Sequence, residues 1–257
     1  MAAQPISILI TGANRGLGLE MVKQMLETSQ PVKKLFACCR DPDGPKAEAL
    51  RTLAKKYPNV ISIIHLDASD PSSIKKLAQQ VGSVVGTEGL NLLINNAGIL
   101  HRDSLQTTTT ENMQNTFTTN VVGPTNITKE FLPLLRAAVK ASGKPGMSCR
   151  KAAVINISAL LGSFQSIQYT YDVLPAISYR ISKAGMNMLT LCASEELKKD
   201  DILFAALHPG WVRTDMGGEG ADIDAQESVK GMVGVIASLT ERDTGTFLDY
   251  KGKPIAW

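Results

Sequence analysis

Tyr179 and Lys183 stand four residues apart in ISYRISKAG, residues 177 to 185. On a helix that spacing puts both side chains on one face, so a phenol and an ammonium group enter the same space. A tyrosine near its reference pKa of about 10 relays protons poorly at neutral pH, and an adjacent cation favours the phenolate. The pair is suited to giving and taking a proton. Tyr-x-x-x-Lys is a common pattern, and a lone copy is more often a surface pair. Here Tyr57, Tyr169, Tyr171 and Tyr250 all lack the lysine, and only the copy at 179 follows a strand-like run, the one ending in NIS.

A second constellation is TGANRGLG, residues 11 to 18, between the apolar run ISILI and the helix-like LEMVKQMLE. Gly12 allows a turn, Gly16 lets the backbone meet a pyrophosphate, and Gly18 allows a helix to pack closely, its N-terminus offering N–H groups and positive dipole. The alternative is a glycine-rich turn that only caps a helix. The run CCRD, residues 38 to 41, discriminates further. Sites for the unphosphorylated dinucleotide put an acid there, about 20 residues past the loop, to bind the ribose hydroxyls. Cys39 occupies that place, followed by Arg40, whose guanidinium can bind a 2′-phosphate, and Arg15 can reach the same pocket. NADP(H) is thus the expected ligand. Each arginine alone also fits a solvated surface charge, and a one-step register shift would bring the acid Asp41 near the ribose. In LLINNAG, residues 92 to 98, Asn95, Ala97 and Gly98 would let a ribose lie against backbone, while an Asn side chain can instead tie neighbouring strands.

Elements that position these residues are legible as alternation. Seven short runs, ISILI, KLFACC, VISIIHL, LNLLIN, AAVINIS, ILFAAL and TFLDY, are each separated by longer, mostly helix-like segments. Near-continuous apolar strands are buried on both faces, as in a parallel sheet covered by helices. The expectation is an α/β chain, residues 1–257, forming one doubly wound Rossmann domain with a seven-stranded, mostly parallel sheet. ASGKPGMSCRK, residues 141 to 151, is expected as a surface connection between a helix and a strand. Of 257 residues 44% are hydrophobic and 20% charged, and the net charge is only +3, without a basic block that would point to nucleic acid. No apolar stretch is long enough to span a membrane, and MAAQPISILI lacks the pattern of a signal peptide, so a cytoplasmic location is expected. Cys38, Cys39, Cys149 and Cys192 show no metal-ligand spacing and are read as reduced, mostly buried residues.

Taken in order, TGANRGLG, NNAG, Asn120 in TNVVGP, the Tyr179 and Lys183 pair, and HPGWVRTDM (residues 208 to 216) resemble the short-chain dehydrogenase/reductase family over nearly the whole chain. LHPGWVRTDMGG and the ending DYKGKPIAW look most like its sniffer and C-factor-like carbonyl reductases. The resemblance implies an NADPH-dependent carbonyl reductase acting on a small ketone or aldehyde, assembled as a homodimer or homotetramer through helices flanking the active site. It implies that Tyr179 is the general acid/base, that Lys183 lowers its pKa and holds the nicotinamide ribose, and that Asn120 holds a water in the proton relay. Asn14 and Leu17 join the glycine loop among the implied cofactor contacts. Asp67 and Ala68 would lie at the adenine, and Pro209, Gly210, Val212 and Thr214 at the nicotinamide end. A turn Asp, a turn Pro and a buried Val are the plainer readings of those positions.

The chain departs from the family in NISALLG. The family's serine, three residues before the glycine, is here Ala159, while Ser158 lies one residue earlier. Successive strand residues point to opposite faces, so Ser158 serves as the catalytic serine only if a kink turns it inward. The family serine donates a hydrogen bond to the nascent alkoxide, a contribution of a few kcal/mol (roughly 3). The interval from Ser158 to Tyr179 is also longer than usual in the family, so QYTYDVLPA is expected to line or cover the substrate pocket. Leu100, Leu160, Phe164, Ile167, Trp211 and Met216 are its candidate apolar walls. A second reading is a dinucleotide-binding regulator that senses the NADPH pool with weakened catalysis.

Overall fold

A computed structural model describes residues 4–28 and 31–257; Met1, Ala2 and Ala3, the start of the stretch read as lacking a leader, lie outside them. In chain order the elements are β1 (Ile6–Thr11), α1 (Gly16–Glu27), β2 (Val32–Cys39), α2 (Glu48–Lys56), β3 (Ile61–His65), α3 (Pro71–Val85) and β4 (Leu92–Asn95). They continue with α4 (Thr110–Phe117), α5 (Gly123–Ser142), β5 (Ala153–Ile157), α6 (Ile167–Thr170), α7 (Ile177–Glu196), β6 (Leu203–His208), α8 (Ala225–Ser238) and β7 (Thr246–Asp249). All seven expected strands form one sheet in the order β3-β2-β1-β4-β5-β6-β7. Every pairing is parallel. The carboxyl ends of all strands therefore share one edge, and the order reverses between β1 and β4, where a ligand crevice opens in folds of this kind.

The apolar runs are nearly continuous because both faces of the sheet are covered. Ile8, Ile10, Leu35, Ala37, Ile155 and Leu207 join one core with Met21 and Val22 of α1 and Val229 and Met232 of α8. Their strand neighbours Leu9, Phe36, Cys38, Val154 and Phe204 join a second core with Ile74 and Leu77 of α3 and Phe131 and Leu135 of α5. The period-two alternation of strand side chains distributes one sequence between two layers.

Two features were not foreseen. Between α4 and α5 the chain passes through a π turn, Thr118–Val122, which contains Asn120. QYTYDVLPA begins inside the short α6 and then runs as a loop into Ala176, a non-glycine residue with φ of 38° at the start of α7. Among the described residues no helix is long and apolar enough to cross a membrane. No group of three or more His, Cys, Asp or Glu side chains there is arranged to hold a metal.

Candidate active site

Where β1 ends, the glycine loop takes the shape its residues allow. Gly12 and Gly16 have φ of 65° and 53°, in the left-handed region open to glycine. A Cβ on Gly18 would lie 2.1 Å from the Gly12 carbonyl oxygen, so α1 packs against the turn only because that side chain is missing. The α1 N-terminus has neither a capping side chain nor an acid in its first turn. Its free N–H groups and positive dipole end suit an anion, so the loop fits a dinucleotide pyrophosphate. Asn14 and Leu17 are half-buried in the loop, and Leu17 leans on the core beneath it.

The NNAG turn is fastened to this loop. Asn96 donates its side-chain amide to the carbonyls of Thr11 (2.9 Å) and Gly12 (3.2 Å), and the Thr11 hydroxyl accepts the N–H groups of Asn96 and Ala97. Asn96 thus holds the crevice together, a role hinted at only by its place in NNAG. Asn95 points elsewhere: its amide donates to Asn156 on β5 (2.8 Å) and to Thr128 on α5. Its side chain is the strand tie read for an asparagine at this turn.

At the end of β2, Cys39 is buried and Arg40 exposed. The Asp41 carboxylate packs back against Gly44. Arg51 donates to the Pro42 and Gly44 carbonyls at 2.8 Å and acts with Asp41 and Asp43 on the Cys39 thiol, while Arg40 is the exposed cation here. Arg15 is not free beside it, because its guanidinium is paired with Asp215 in the loop after β6. Asp67 accepts the hydroxyl (2.6 Å) and N–H (2.9 Å) of Ser69, and these bonds, aided by Arg40, hold its carboxyl below the usual range despite burial. That is the geometry of a turn aspartate. Ala68 turns its carbonyl toward the start of α5, where only a glycine fits: a Cβ on Gly123 would lie 2.5 Å from it.

Tyr179 and Lys183 are both buried in the first turns of α7, the Lys183 Nζ 5.5 Å from the centre of the tyrosine ring. Nζ donates to the carbonyl of Ile157 (2.7 Å). Burial pushes the phenol well above its ordinary value and pulls the lysine down to about 8, since desolvation disfavours both charged forms. Burial thus acts on the phenol in the sense opposite to the lowering expected from Lys183. Gly98 abuts this pair: a Cβ there would lie 3.8 Å from Lys183 Nζ and 3.2 Å from Asn120 Oδ1. Asn120 has its whole side chain engaged, accepting the N–H of Ile99 and donating to the Ile99 carbonyl and the Ser182 hydroxyl, each at 2.9 Å.

Ser158 is not turned inward. Its hydroxyl donates to Asn187 Oδ1 at 2.6 Å, deep under α7, and it is Ala159 that packs against Tyr179 and Ala176. The strand alternation wins over the kink, and the position of the family serine is apolar. Leu100, Leu161 and Leu174 surround this cluster. Leu161, not the expected Leu160, faces Tyr179, while Phe164, Ile167, Trp211 and Met216 are exposed.

After β6, Pro209 accepts the Ser228 hydroxyl at 2.6 Å and Gly210 adopts φ of 84°. Val212 is buried in a bridge to Ile223. Thr214 faces the glycine loop, its Cγ2 3.6 Å from where a Gly16 Cβ would be. His208 was missed from the sequence: Nδ1 accepts the Leu160 N–H at 3.2 Å, and burial pulls its pKa down to about 4 against the pull of Asp249. Three turns, from β1, β4 and β6, therefore converge beside a buried tyrosine and lysine at the reversal of strand order.

Known proteins share this fold. The chain superposes on an NADPH-bound carbonyl reductase from chicken fatty liver with a TM-score of 0.95 and 45% identity, over 99% of this chain and 95% of that one. It superposes on the carbonyl reductase Sniffer of D. melanogaster with a TM-score of 0.93 and 39% identity, over 99% and 100%. The C-signal protein of Myxococcus xanthus is 34% identical over 174 residues, 67% of this chain and 96% of that protein. The family model for short chain dehydrogenases matches residues 7–223. A match that begins inside β1 and runs past the Tyr179 and Lys183 helix to Ile223 makes this chain a member of the short chain dehydrogenase family.

Proposed function

We propose that the protein is an NADPH-dependent carbonyl reductase and that residues 1–257 act as one dinucleotide-binding unit. The observation that carries this is the buried Tyr179 and Lys183 pair set against Gly98 at the mouth of the glycine loop. The glycine loop and the α1 N-terminus hold the pyrophosphate, Arg40 meets the 2′-phosphate, and Thr214 with the turn from Pro209 to Val212 holds the nicotinamide end. NADPH, when bound, supplies the hydride that reduces the carbonyl carbon. A phenol carries its proton at neutral pH, burial favours that form further, and Tyr179 enters the reaction as the acid, giving its proton to the carbonyl oxygen as charge develops there. Lys183 then stabilises the phenolate left behind and gains back a partner for its desolvated charge. Asn120 contributes through its main chain in the π turn, its side chain being occupied. The 45% identity to an NADPH-bound carbonyl reductase supports this reading.

Ala159 favours a second reading, a sensor of the NADPH pool, because the side chain that packs on Tyr179 at the family serine's position carries no hydroxyl. Consumption of NADPH with a small aromatic dicarbonyl separates them. A reductase oxidises the cofactor in a reaction lost in Tyr179→Phe; a sensor binds it by titration and leaves it intact.

A further inference from the structure

Arg180 follows Tyr179 in the chain, and its side chain is only 5% exposed. Among the described residues it forms no ion pair. Every hydrogen bond of its guanidinium goes to one short segment. Nε donates to the carbonyls of Leu174 (3.1 Å) and Pro175 (2.7 Å), and Nη2 to those of Thr170 (2.7 Å) and Leu174 (2.8 Å). Nη1 donates to the Thr170 hydroxyl at 3.0 Å, and the Tyr171 ring lies 5.4 Å from the guanidinium carbon. A buried charge left without such acceptors would be strongly destabilising, so the fork and the segment order each other.

The segment's other hydrogen bonds are local, among them the Tyr171 N–H to the Ile167 carbonyl (3.0 Å), the Leu174 N–H to the Thr170 carbonyl (3.2 Å) and the Thr170 hydroxyl to the Ser166 carbonyl (2.8 Å). Its only helical part is α6, four residues long, and Tyr169 and Val173 are exposed. It ends at Ala176, whose positive φ is a strained conformation that persists only where its surroundings enforce it. Yet its Leu174 packs on the cluster of Ala159, Ala176 and Tyr179. The helix start is gripped from the opposite side by Asp103, whose main-chain carbonyl accepts the Ile177 N–H (3.1 Å) and whose carboxylate accepts the Ser178 N–H (3.2 Å). Asp103 anchors the catalytic helix to the loop after β4, and Arg180 anchors the segment to the catalytic helix.

We infer that Arg180 is a positioning residue that makes Thr170–Ala176 a fixed wall of the substrate site, rigidly indexed to Tyr179. The inference rests on the reductase reading for what the wall encloses. Freed of the guanidinium, the segment samples many conformations, and a substrate that touches it must first select the competent one. A wall correctly formed one-tenth of the time raises the apparent dissociation constant about tenfold. A substrate too small to reach it is spared.

The test uses Arg180→Lys, which keeps the charge but loses the fork, and Arg180→Met, which keeps the apolar stem. Amide hydrogen exchange across 168–176 is read beside KM for a bulky aromatic dicarbonyl and for a small aliphatic aldehyde. Faster exchange confined to that segment is expected in both variants, with the ratio of bulky to small KM rising about tenfold. Unchanged exchange, or equal KM shifts for the two substrates, overturns the inference. Should Arg180→Met fail to fold, Arg180→Lys and Thr170→Val, which removes one acceptor, carry the same comparison. A wild-type protein inert toward both carbonyls would overturn the reductase reading, and the exchange data then decide the clamp by themselves.

Discussion

Ala159→Ser places a hydroxyl at the position of the family serine, where an apolar side chain packs against the proposed proton donor. Ala159 packs on Tyr179, so a serine there points its Oγ at the space where a carbonyl oxygen meets the phenol. A single donor to a nascent oxyanion is commonly worth about 3 to 4 kcal/mol, and imperfect aim reduces this, so turnover is expected to rise by about ten- to a thousandfold. NADPH affinity is expected to stay put, because nothing in the nucleotide cradle moves. Ser158→Ala is the control. It removes a 2.6 Å hydrogen bond to a buried amide oxygen, so stability falls by about 1 to 3 kcal/mol and Tm by several degrees, while turnover per folded molecule holds. Steady-state reduction of a small aromatic dicarbonyl, scaled to folded protein by calorimetry, reads both. The reasoning fails if Ser158→Ala loses activity as an oxyanion donor would and Ala159→Ser gains none.

Tyr179→Phe is expected to abolish carbonyl reduction and leave NADPH titration nearly unchanged, because the ring keeps its packing and only the proton is lost. NADPH is expected to bind at least about tenfold tighter than NADH. With Arg15 paired to Asp215, Arg40→Ala should erase that preference and Arg15→Ala should dent it less; equal effects in titration calorimetry would refute the assignment. His208 stays neutral in the folded chain down to about pH 4, whereas an unfolded histidine takes a proton near about pH 6.5. The unfolded state then binds more protons between those values, so stability should fall by up to about 3 kcal/mol as pH drops through that window and level off below it. Denaturant titrations of His208→Gln should lack that component, and an identical acid profile would count against it.

The strands and the two chemical constellations were legible because each is a local pattern. A buried parallel strand must be apolar throughout, a tyrosine and a lysine one helical turn apart must share a face, and glycines must stand where Cβ atoms do not fit. What escaped depends on partners distant in the chain. Ser158 is aimed by Asn187, Arg15 is taken by Asp215, and His208 meets the N–H of Leu160, and none of these choices leaves a mark in either neighbourhood. Asn120 stood out by its motif, but that its side chain binds Ile99 and Ser182 could not be read there. Nothing in the sequence singled out Arg180, which is buried, because its partners are carbonyls, which every sequence possesses.

Asn95 and Asn156 stand opposite one another in the register of β4 and β5, and Asn156 passes the connection on to Thr190 of α7. Around them the two strands are almost wholly aliphatic, and aliphatic side chains tolerate sliding. A strand displaced by one residue would send one of these amides to the other face and break the bond between them, leaving the Asn156 oxygen buried without its donor at about 1 to 3 kcal/mol. The amide pair thus acts as a ratchet tooth between the strand that carries the nucleotide turn and the strand that leads to Ala159. The two positions are bound to a common history: replacing either alone by an aliphatic residue takes from its mate the one bond that crosses between the strands, so a lineage that abandons one should tend to have abandoned both.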